Sequence, residues 1–310
     1  MPVALLNCVP IPADTAPGSY NVGPEQIAAR ITERTSAILV AHISGHPCDL
    51  DGILALAATH DLPVIEDCAQ AHGATYKGRK VGTFGRIAAF STMSGKHHAT
   101  GAQGGVVYTS DESLYWQARR ASDRGKPFNL ADATGNVIAS QNLNSNELAC
   151  AIGRVQLTKL PGIVAARQRI ADALAQRCAD QLQSVRFDTG LPDTRGAYWF
   201  GLFQIDQDKL RVDKQTFVNA LGAEGIPVGG TYYHAPTEQP WAVQRKVSGA
   251  SGYPWTSPQY KGDPDAVYAL PNAKAADAAH FRMTLHERFT DREVDDIMAA
   301  LVKVEQAYLR

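Results

Sequence analysis

With 310 residues, the chain is long enough for two domains or for one large α/β domain with an appendage. Its 30 basic and 31 acidic residues nearly cancel, which argues against a nucleic-acid-binding surface and against attraction to an anionic membrane. The five cysteines are odd in number and have no CxxC spacing, which is typical of reduced thiols in a cytoplasmic protein. The N-terminus has no basic segment before its apolar run, and we expect neither a signal peptide nor a membrane span.

The first part of the chain alternates predicted strands and helices. Apolar runs at 35–43 and 62–67 predict buried strands, and a helical pattern at 49–61 lies between them. After a turn-rich stretch, two further strands are predicted at 86–91 and 104–109. This order predicts a right-handed strand–helix–strand unit within a mostly parallel sheet.

Two helical segments follow these strands. Residues 110–125 have acids early, bases late and a closing glycine, which predicts a helix. Residues 146–182 have a mainly helical pattern that we expect to be broken at Pro161. The second segment is interpreted as a long connector that leads out of the sheet domain.

The remainder of the chain has a different character. A strand is predicted at 196–205, an amphipathic helix at 214–225 and a final helix at 290–309 that begins with an N-cap at Thr290. We therefore predict a large α/β domain over residues 1–164 and a smaller α+β domain over residues 165–310.

Polar side chains lie where the predicted strands end. Asp67 closes one strand, Gln70 lies three residues further on, and Lys96 follows Ser91 by five residues. A lysine amine can bond to an aldehyde cofactor, and a carboxylate can keep a pyridine nitrogen protonated so that the ring withdraws electrons. Pyridoxal phosphate needs both groups, with a hydroxyl such as that of Ser91 near its phosphate. On spacing alone, a solvated lysine and a turn-forming aspartate are the more common interpretations.

The histidines do not have the spacing of a metal site. His97 and His98 are adjacent and would point to different sides of a regular element, and His42 and His46 lie on a strand-to-loop path. We therefore predict no bound metal.

The order of these segments resembles one family of enzymes. Asp-x-x-Gln followed by His-Gly-Ala, then a Ser and a Lys five apart, then Gly-Gly and a strand, is similar to the DegT/DnrJ/EryC1/StrS family of pyridoxal-phosphate sugar aminotransferases. The likeness is dense over residues 38–125 and looser over 141–171 and 226–236. It implies the aspartate-aminotransferase fold, fold type I, in which a three-layer αβα large domain with a mostly parallel sheet carries a smaller α+β C-terminal domain.

The resemblance also implies roles for individual residues. Lys96 would be the catalytic residue, which bonds to the cofactor aldehyde and later moves the proton. Asp67 would pair with the pyridine nitrogen, Gln70 would lie against the ring, and Ser91 would contact the phosphate. Asn142 lies where the family has an Asn-Tyr-Arg segment whose asparagine reaches the cofactor phosphate of the neighbouring subunit. Here Leu143 and Asn144 replace the tyrosine and the arginine, which weakens that assignment.

Four further residues are candidates for lining the substrate site. His72 follows Gln70 as in the family, and His97 stands where the family usually has asparagine. Tyr232 and His234 belong to the segment "TYYHAP", which is either near the substrate or a strand end with packed aromatic residues. His286 matches a family position near the site and is equally compatible with a structural role.

The implied activity is transfer of an amino group from a donor such as glutamate to a keto-sugar or keto-cyclitol, often a nucleotide-linked one. The implied assembly is a cytoplasmic homodimer with shared active sites. Some relatives with a histidine in place of the lysine are dehydratases; Lys96 is intact, which favours transamination, although a lysine-bearing dehydratase is an alternative.

One departure from the family leaves another alternative open. Family members carry an N-terminal Ser/Thr-Gly-Thr-Ala segment that binds the cofactor phosphate through its backbone amides, and this sequence starts after it. The sequence would then be a fragment or a mis-started frame, or the segment would come from another polypeptide. A non-catalytic relative or partner subunit without the phosphate loop is therefore the second hypothesis.

Overall fold

The computed structural model describes residues 2–232, 235–247 and 251–310. Its helices are α1 Pro2–Leu5, α2 Pro24–Ala28, α3 Leu50–Thr59, α4 Glu112–Ser122, α5 Glu147–Gln181, α6 Lys214–Ala223, α7 Pro240–Val243, α8 Pro271–Ala279 and α9 Asp291–Tyr308. Its strands are β1 Ile38–Ala41, β2 Val64–Asp67, β3 Thr75–Tyr76, β4 Arg79–Lys80, β5 Ile87–Ser91, β6 Gly105–Tyr108, β7 Val185–Phe187, β8 Thr194–Arg195, β9 Gly201–Ile205, β10 Val228–Gly229 and β11 His280–Met283.

The first sheet has the strand order β1-β2-β5-β6. β1, β2 and β5 are parallel, and β6 pairs with β5 in the antiparallel direction. α3 connects β1 to β2 and begins where the Asp49 side chain accepts a hydrogen bond from the Gly52 amide. The predicted strand–helix–strand unit and the mostly parallel sheet are confirmed.

The two faces of this sheet are not equally covered. Val40 and Val64 are buried on the face that packs against α3, together with Ile53 of the helix. On the opposite face, Leu39 is 52% exposed and Val107 is 59% exposed. Parallel sheets are normally covered on both faces, so this apolar face is unusual in the isolated chain.

The second sheet has the strand order β10-β11-β9-β7 and is antiparallel throughout. Its core is aromatic: Phe203 stacks on Phe281 with ring centroids 5.1 Å apart, and Phe187 meets Phe203 edge-on at 5.0 Å. The helices α5, α6 and α9 contribute side chains to the same hydrophobic core. α9 begins with the predicted cap, since Thr290 and Glu293 form a reciprocal capping box.

The expected break in the connector at Pro161 is wrong. α5 continues without interruption over its 35 residues and contains Pro161. Proline removes one backbone donor, but Pro161 is on the exposed side of the helix, and the turns that follow are held by packing. Ile170 and Leu174 are fully buried in the aromatic core.

The strand predicted at 196–205 is shorter than expected, since β9 begins only at Gly201. The preceding residues are irregular because their backbone bonds to the first sheet's loops: the Ala197 amide donates to Gly45 and the Trp199 amide donates to Ser44. The chain also turns at Tyr198, whose φ is 51°. This segment therefore runs along the end of the first sheet before it enters the second.

Within the described ranges, α5 is the one helix long and apolar enough to cross a membrane by length and composition. This is weak evidence for a membrane span, because the core helices of soluble proteins pass the same test. The C-terminal half of α5 packs into the aromatic core, whereas Leu148 and Val155 in its N-terminal half are exposed.

Candidate active site

Neighbouring acids on β2 face different surroundings. Glu66 is completely buried and accepts hydrogen bonds from the amides of Gly82, Phe84 and Gly85. Burial alone would raise the pKa of the Glu66 carboxyl, but the hydrogen bonds it accepts outweigh this and leave that pKa lowered. Asp67 is only partly buried and lies at the strand end, where its Oδ1 accepts from the Ala69 amide at 2.9 Å. Glu66 is thus a structural acid, and Asp67 is available to a ligand.

A cluster of His42, Glu66 and Cys68 has ligand atoms within 4.8 Å of one another. The Nδ1 atom of His42 accepts from the Cys48 amide at 3.1 Å, so Nε2 carries the proton and donates to Glu66 at 3.2 Å. Both nitrogens of His42 are therefore used within the chain. The cluster is explained as a hydrogen-bonded anchor of the loop that precedes β5.

Gln70 joins the first sheet to the segment that contains Tyr232. Its Oε1 atom accepts from the Ser44 amide at 2.6 Å, and its Nε2 atom donates to the Tyr232 hydroxyl at 2.5 Å. The Tyr232 ring packs on Phe200 with centroids 4.6 Å apart. The two predicted site residues are therefore in direct contact, although 162 positions separate them.

Lys96 lies in a loop that follows Ser91 and folds back on itself. The Thr92 amide donates to Gly104 at 2.9 Å, and the Ser94 amide donates to Ala102 at 2.8 Å. The Ser91 hydroxyl accepts from the Met93 amide at 3.4 Å, which keeps it at the strand end. The loop therefore holds the lysine beyond the carboxyl end of β5.

The Lys96 ammonium lies 3.7 Å from the centroid of the Trp199 ring. Partial burial lowers the pKa of Lys96, and the charge of Asp67 opposes that shift. The structure therefore brings the amine and the Asp67 carboxylate within electrostatic range at one end of the sheet.

Three imidazoles surround the base of this loop. The His72 ring lies 5.9 Å from that of His97 and 6.2 Å from that of His98, measured between centroids. His97 contacts the Ala197 carbonyl through Nε2 at 2.9 Å, and His98 contacts that of Gly153 at 2.9 Å. His97 and His98 therefore attach the lysine loop to the rest of the chain.

Burial lowers the pKa of His72 to about 4 and that of His97 to about 3, so both rings are neutral near pH 7. Within the described residues, the Nδ1 atom of His97 has no hydrogen-bond partner, and the ring nitrogens of His72 make no hydrogen bond of ordinary geometry, although the Ser91 backbone lies beside that ring. Buried polar atoms of this kind are uncommon and mark a place where a ligand or water can bind.

Other predicted residues are placed elsewhere or outside the described ranges. Asn142 forms a β-bridge with Asp123, its Oδ1 accepts from Asn144, and none of its described contacts joins it to Ser91 or Lys96. His234 lies outside the described residues. The His286 side chain is 50% exposed and packs near Phe289, so its described contacts do not place it at the site.

The residues around Lys96 fit the ring and aldehyde of pyridoxal phosphate. They offer a partly buried amine, a carboxylate with Oδ2 outside the described hydrogen bonds, a side-chain amide and the Ser91 hydroxyl at a strand end. The buried ring nitrogens of His72 and His97 lie beside them. These donors and acceptors are the types that a charged aromatic cofactor and a hydroxyl-rich substrate require.

Sequence reasoning missed Trp199. It was assigned to a strand, whereas its ring faces Lys96 and its Nε1 atom donates to the Gly95 carbonyl at 2.9 Å. No spacing rule connects residues 103 positions apart, so only the fold reveals this contact.

Comparison with known proteins shows which family this chain resembles. A family model described as the DegT/DnrJ/EryC1/StrS aminotransferase family matches residues 1–302. An uncharacterized protein of Methanocaldococcus jannaschii is 29% identical over 95% of this chain and 73% of its own length. An L-glutamine:scyllo-inosose aminotransferase of Streptomyces griseus is 35% identical over 73% of this chain and 55% of its own length. A GDP-perosamine synthase of Caulobacter vibrioides is 29% identical over 97% of this chain and 75% of its own length.

Solved structures give the same result for the fold. An aminotransferase from Psychrobacter cryohalolentis superimposes with a TM-score of 0.83 at 28% identity, over 98% of this chain and 77% of the other. An aminotransferase of this family from Brucella abortus superimposes with a TM-score of 0.79 at 24% identity, over 98% of this chain and 75% of the other. The predicted fold, fold type I of the pyridoxal-phosphate enzymes, is confirmed.

Proposed function

The chain belongs to the DegT/DnrJ/EryC1/StrS family of pyridoxal-phosphate aminotransferases, and from that premise we propose that it transfers an amino group from glutamate or glutamine to a keto-sugar or keto-cyclitol. Relatives named for transamination of inososes and for GDP-perosamine synthesis support this substrate class. The acceptor would be a free cyclitol or a nucleotide-linked sugar. The observation that carries the proposal is that Lys96, in the loop after β5, lies within electrostatic range of Asp67 at the end of β2.

Each of these residues has a proposed role in holding the cofactor. Lys96 would bond to the cofactor aldehyde, Asp67 would offer a carboxylate to the pyridine nitrogen, and Gln70 would contact the ring. Ser91 offers its hydroxyl to the phosphate. When bound, pyridoxal phosphate supplies an aromatic ring that stabilises the negative charge left after a proton is removed from the donor amino acid.

Lys96 also moves the proton. An amine accepts a proton only when it is neutral, and burial lowers the pKa of Lys96, which increases the neutral fraction near pH 7. After taking the proton from the donor amino acid, the same nitrogen would return it to a neighbouring atom of the bound cofactor. One flexible lysine side chain would serve both the removal and the return of the proton. The second half-reaction reverses these steps with the keto-sugar as the acceptor.

The acceptor is proposed to lie against His72, His97, Tyr232 and His234. Burial keeps both rings neutral. His72 therefore offers a hydrogen-bond acceptor and a donor to sugar hydroxyls, whereas His97, whose Nε2 donates to the Ala197 carbonyl, offers its Nδ1 as an acceptor. The Tyr232 hydroxyl, which accepts from Gln70, adds a further polar group. His234 is assigned to this set from its position in the sequence.

We also propose a cytoplasmic homodimer with a site shared between subunits. The uncovered sheet face at Leu39 and Val107 and the exposed Leu148 of α5 give an apolar surface suited to an interface. Asn142 would then reach the cofactor phosphate of the partner. We further propose that residues 1–164 and 165–310 form two domains, because the aromatic core lies almost wholly in the second range.

An amino-transfer assay tests this function. The purified chain is supplied with pyridoxal phosphate, ¹⁵N-labelled glutamate or glutamine and scyllo-inosose, and the product is analysed by mass spectrometry. We expect labelled amino-cyclitol from the wild type and a loss of at least about 1,000-fold in Lys96→Ala. Lys80→Ala is the matched control, because Lys80 is an exposed lysine on β4, and it should keep full activity.

The assay also separates the alternatives. Loss of a hydroxyl from the sugar without consumption of the amino donor would identify a dehydratase instead. Absence of product with every donor and a panel of nucleotide-linked keto-sugars, in protein that binds no cofactor, would favour the non-catalytic relative. Full activity of Lys96→Ala would reject the assigned catalytic residue.

A further inference from the structure

The loop around Lys96 is fastened on both sides to the segment that precedes β9. On one side, Trp199 donates from Nε1 to the Gly95 carbonyl at 2.9 Å. On the other side, His97 donates from Nε2 to the Ala197 carbonyl at 2.9 Å. The residues directly before and after the lysine are therefore bonded to one three-residue stretch, and the lysine itself lies over the Trp199 ring.

Trp199 is itself held in place from several directions. Its amide donates to the Ser44 carbonyl at 2.8 Å. Its carbonyl accepts from the guanidinium of Arg167 at 3.1 Å. Arg167 is buried and paired with Glu287 at 2.9 Å. The position of the indole is thus set by the first sheet's loops and by α5, independently of Lys96.

We propose that Trp199 is a positioning residue that binds the charged form of Lys96 and releases the neutral form. A cation over an aromatic face at 3.7 Å is attracted by the ring's quadrupole, and a neutral amine is not. The proton on Lys96 would therefore decide where the amine rests: over the indole when charged, and free to move when neutral. The effect of this switch on catalysis rests on the proton-transfer role proposed above, whereas the contact between Trp199 and Lys96 does not.

The charged and titratable groups around the amine agree with this arrangement. Asp67 at the end of β2 is the acid that interacts with Lys96. His72, after β2, and His97, in the same loop, are neutral near pH 7 because burial lowers the pKa of each. The α5 cation that faces this loop, Arg167, interacts with His97 and is paired with Glu287. The indole is therefore a group that does not titrate and that contacts the ammonium directly, with an attraction that depends on the charge of Lys96.

Fluorine NMR of the full chain labelled with 5-fluorotryptophan tests the proposal. The chain has four tryptophans, and the Trp199 signal is identified by its absence in Trp199→Phe. We expect this signal to shift in a single step with pH as Lys96 loses its proton, and the step to vanish in Lys96→Met. The Trp116 signal, from exposed helix α4, should show no such step.

A second measurement excludes a merely structural role for the indole. Competitive acetylation followed by peptide mass spectrometry gives the pKa of Lys96 in unlabelled and in 5-fluorotryptophan protein. Fluorine withdraws electron density from the ring without changing its shape, so the ammonium is held less strongly and the pKa of Lys96 should fall by about 0.3 unit. Lys80 supplies the control within each sample and should not change.

Either of two results would overturn the proposal: a Trp199 signal that does not respond to Lys96, or a Lys96 pKa that fluorination leaves unchanged. Unchanged signals for the other three tryptophans in Lys96→Met show that the variant is folded. Both measurements use protein without cofactor, so they succeed or fail independently of the amino-transfer assay.

Discussion

The two main sheets differ in what stabilises them and in what they contribute to the site. The first sheet buries an acid and an imidazole, Glu66 and His42, and carries Asp67 and Ser91 at its strand ends. The second sheet is filled with stacked aromatic rings such as Phe203 and Phe281. The reactive groups therefore belong to the first sheet, while the chain leading into the second sheet positions them.

This division explains how a site can be reactive and still be well ordered. Polar side chains at strand ends bury less apolar surface than apolar side chains would, so they contribute less to the stability of the first sheet. The segment containing Ala197 and Trp199 compensates by bonding to both sides of the lysine loop. The second sheet then supports this segment at its C-terminal end, where β9 begins at Gly201 and enters the aromatic core.

The largest expected effect follows from breaking the aromatic core. Phe203→Ala should lower the free energy of unfolding by about 3–5 kcal/mol, because Phe203 is fully buried and its removal leaves a cavity. Urea denaturation measures this loss. Phe128→Ala is the control, since Phe128 is 37% exposed. This substitution should lower the free energy of unfolding by less than about 1 kcal/mol. Equal losses in the two variants would refute the assignment of the core.

Two neighbouring acids of β2 sharpen the comparison within the first sheet. Glu66→Gln should lower the free energy of unfolding by about 3 kcal/mol, because Gln brings an amide donor among groups that already donate to Glu66. Asp67→Asn should change it by less than about 1 kcal/mol but reduce amino transfer on the order of 100-fold. Denaturation and the amino-transfer assay are run on both variants. The reverse pattern, with Asp67 needed for folding and Glu66 for activity, would contradict the separation of roles.

Acid should weaken the attachment of the lysine loop. The pKa of His97 is about 3 in the folded chain and that of His72 is about 4, whereas an unfolded histidine titrates near 6.5. Both rings therefore stabilise the fold fully above pH 6.5, and this stabilisation is lost as pH falls towards the folded values. At pH 5, the burial of each ring should lower the free energy of unfolding by about 2 kcal/mol relative to its value well above pH 6.5.

The variant His97→Gln isolates this effect. Glutamine keeps a donor for the Ala197 carbonyl but does not titrate, so the loss of stability between pH 7 and pH 5 should shrink by about 2 kcal/mol. His60→Gln is the control, because His60 is exposed at the end of α3. A pH dependence that is the same in His97→Gln as in the wild type would show that His97 is not buried in its neutral form.

The smallest effect concerns a surface ion pair that joins α6 to α9. Lys303 contacts Glu224 at 2.8 Å, but its side chain is 68% exposed. Lys303→Met should therefore change the free energy of unfolding by less than about 0.5 kcal/mol. A loss above 2 kcal/mol in the same denaturation assay would mean that the second sheet depends on charges as well as on aromatic packing.

The sequence predicted the parts of the molecule that depend on local patterns. The apolar run around Val40 and the helical spacing of α3 fix the strand–helix–strand unit, and the Thr290 cap fixes the start of α9. Asp67 and Lys96 were predicted as site residues because they lie at or just beyond strand ends, and those roles stay a prediction. Pro161 was misjudged because its local cost is outweighed by the packing of later turns of α5.

The remaining features depend on contacts between distant residues. The contact of Gln70 with Tyr232 and that of Trp199 with Lys96 each join positions more than 100 residues apart. The attachment of the lysine loop through His97 and His98 was not predicted from the sequence, because the partners are the backbone carbonyls of Ala197 and Gly153. Backbone acceptors leave no trace in residue type, so no reading of side chains alone could have found them.

The central claim is that Lys96 is the amine that bonds to pyridoxal phosphate. The most direct test is to mix the purified chain with one equivalent of pyridoxal phosphate, reduce it with borohydride and locate the added mass by peptide mass spectrometry. We predict that the label is concentrated on Lys96, and that Lys96→Ala leaves only the low background of exposed lysines such as Lys80. A label spread evenly over exposed lysines, with none enriched at Lys96, would contradict the claim.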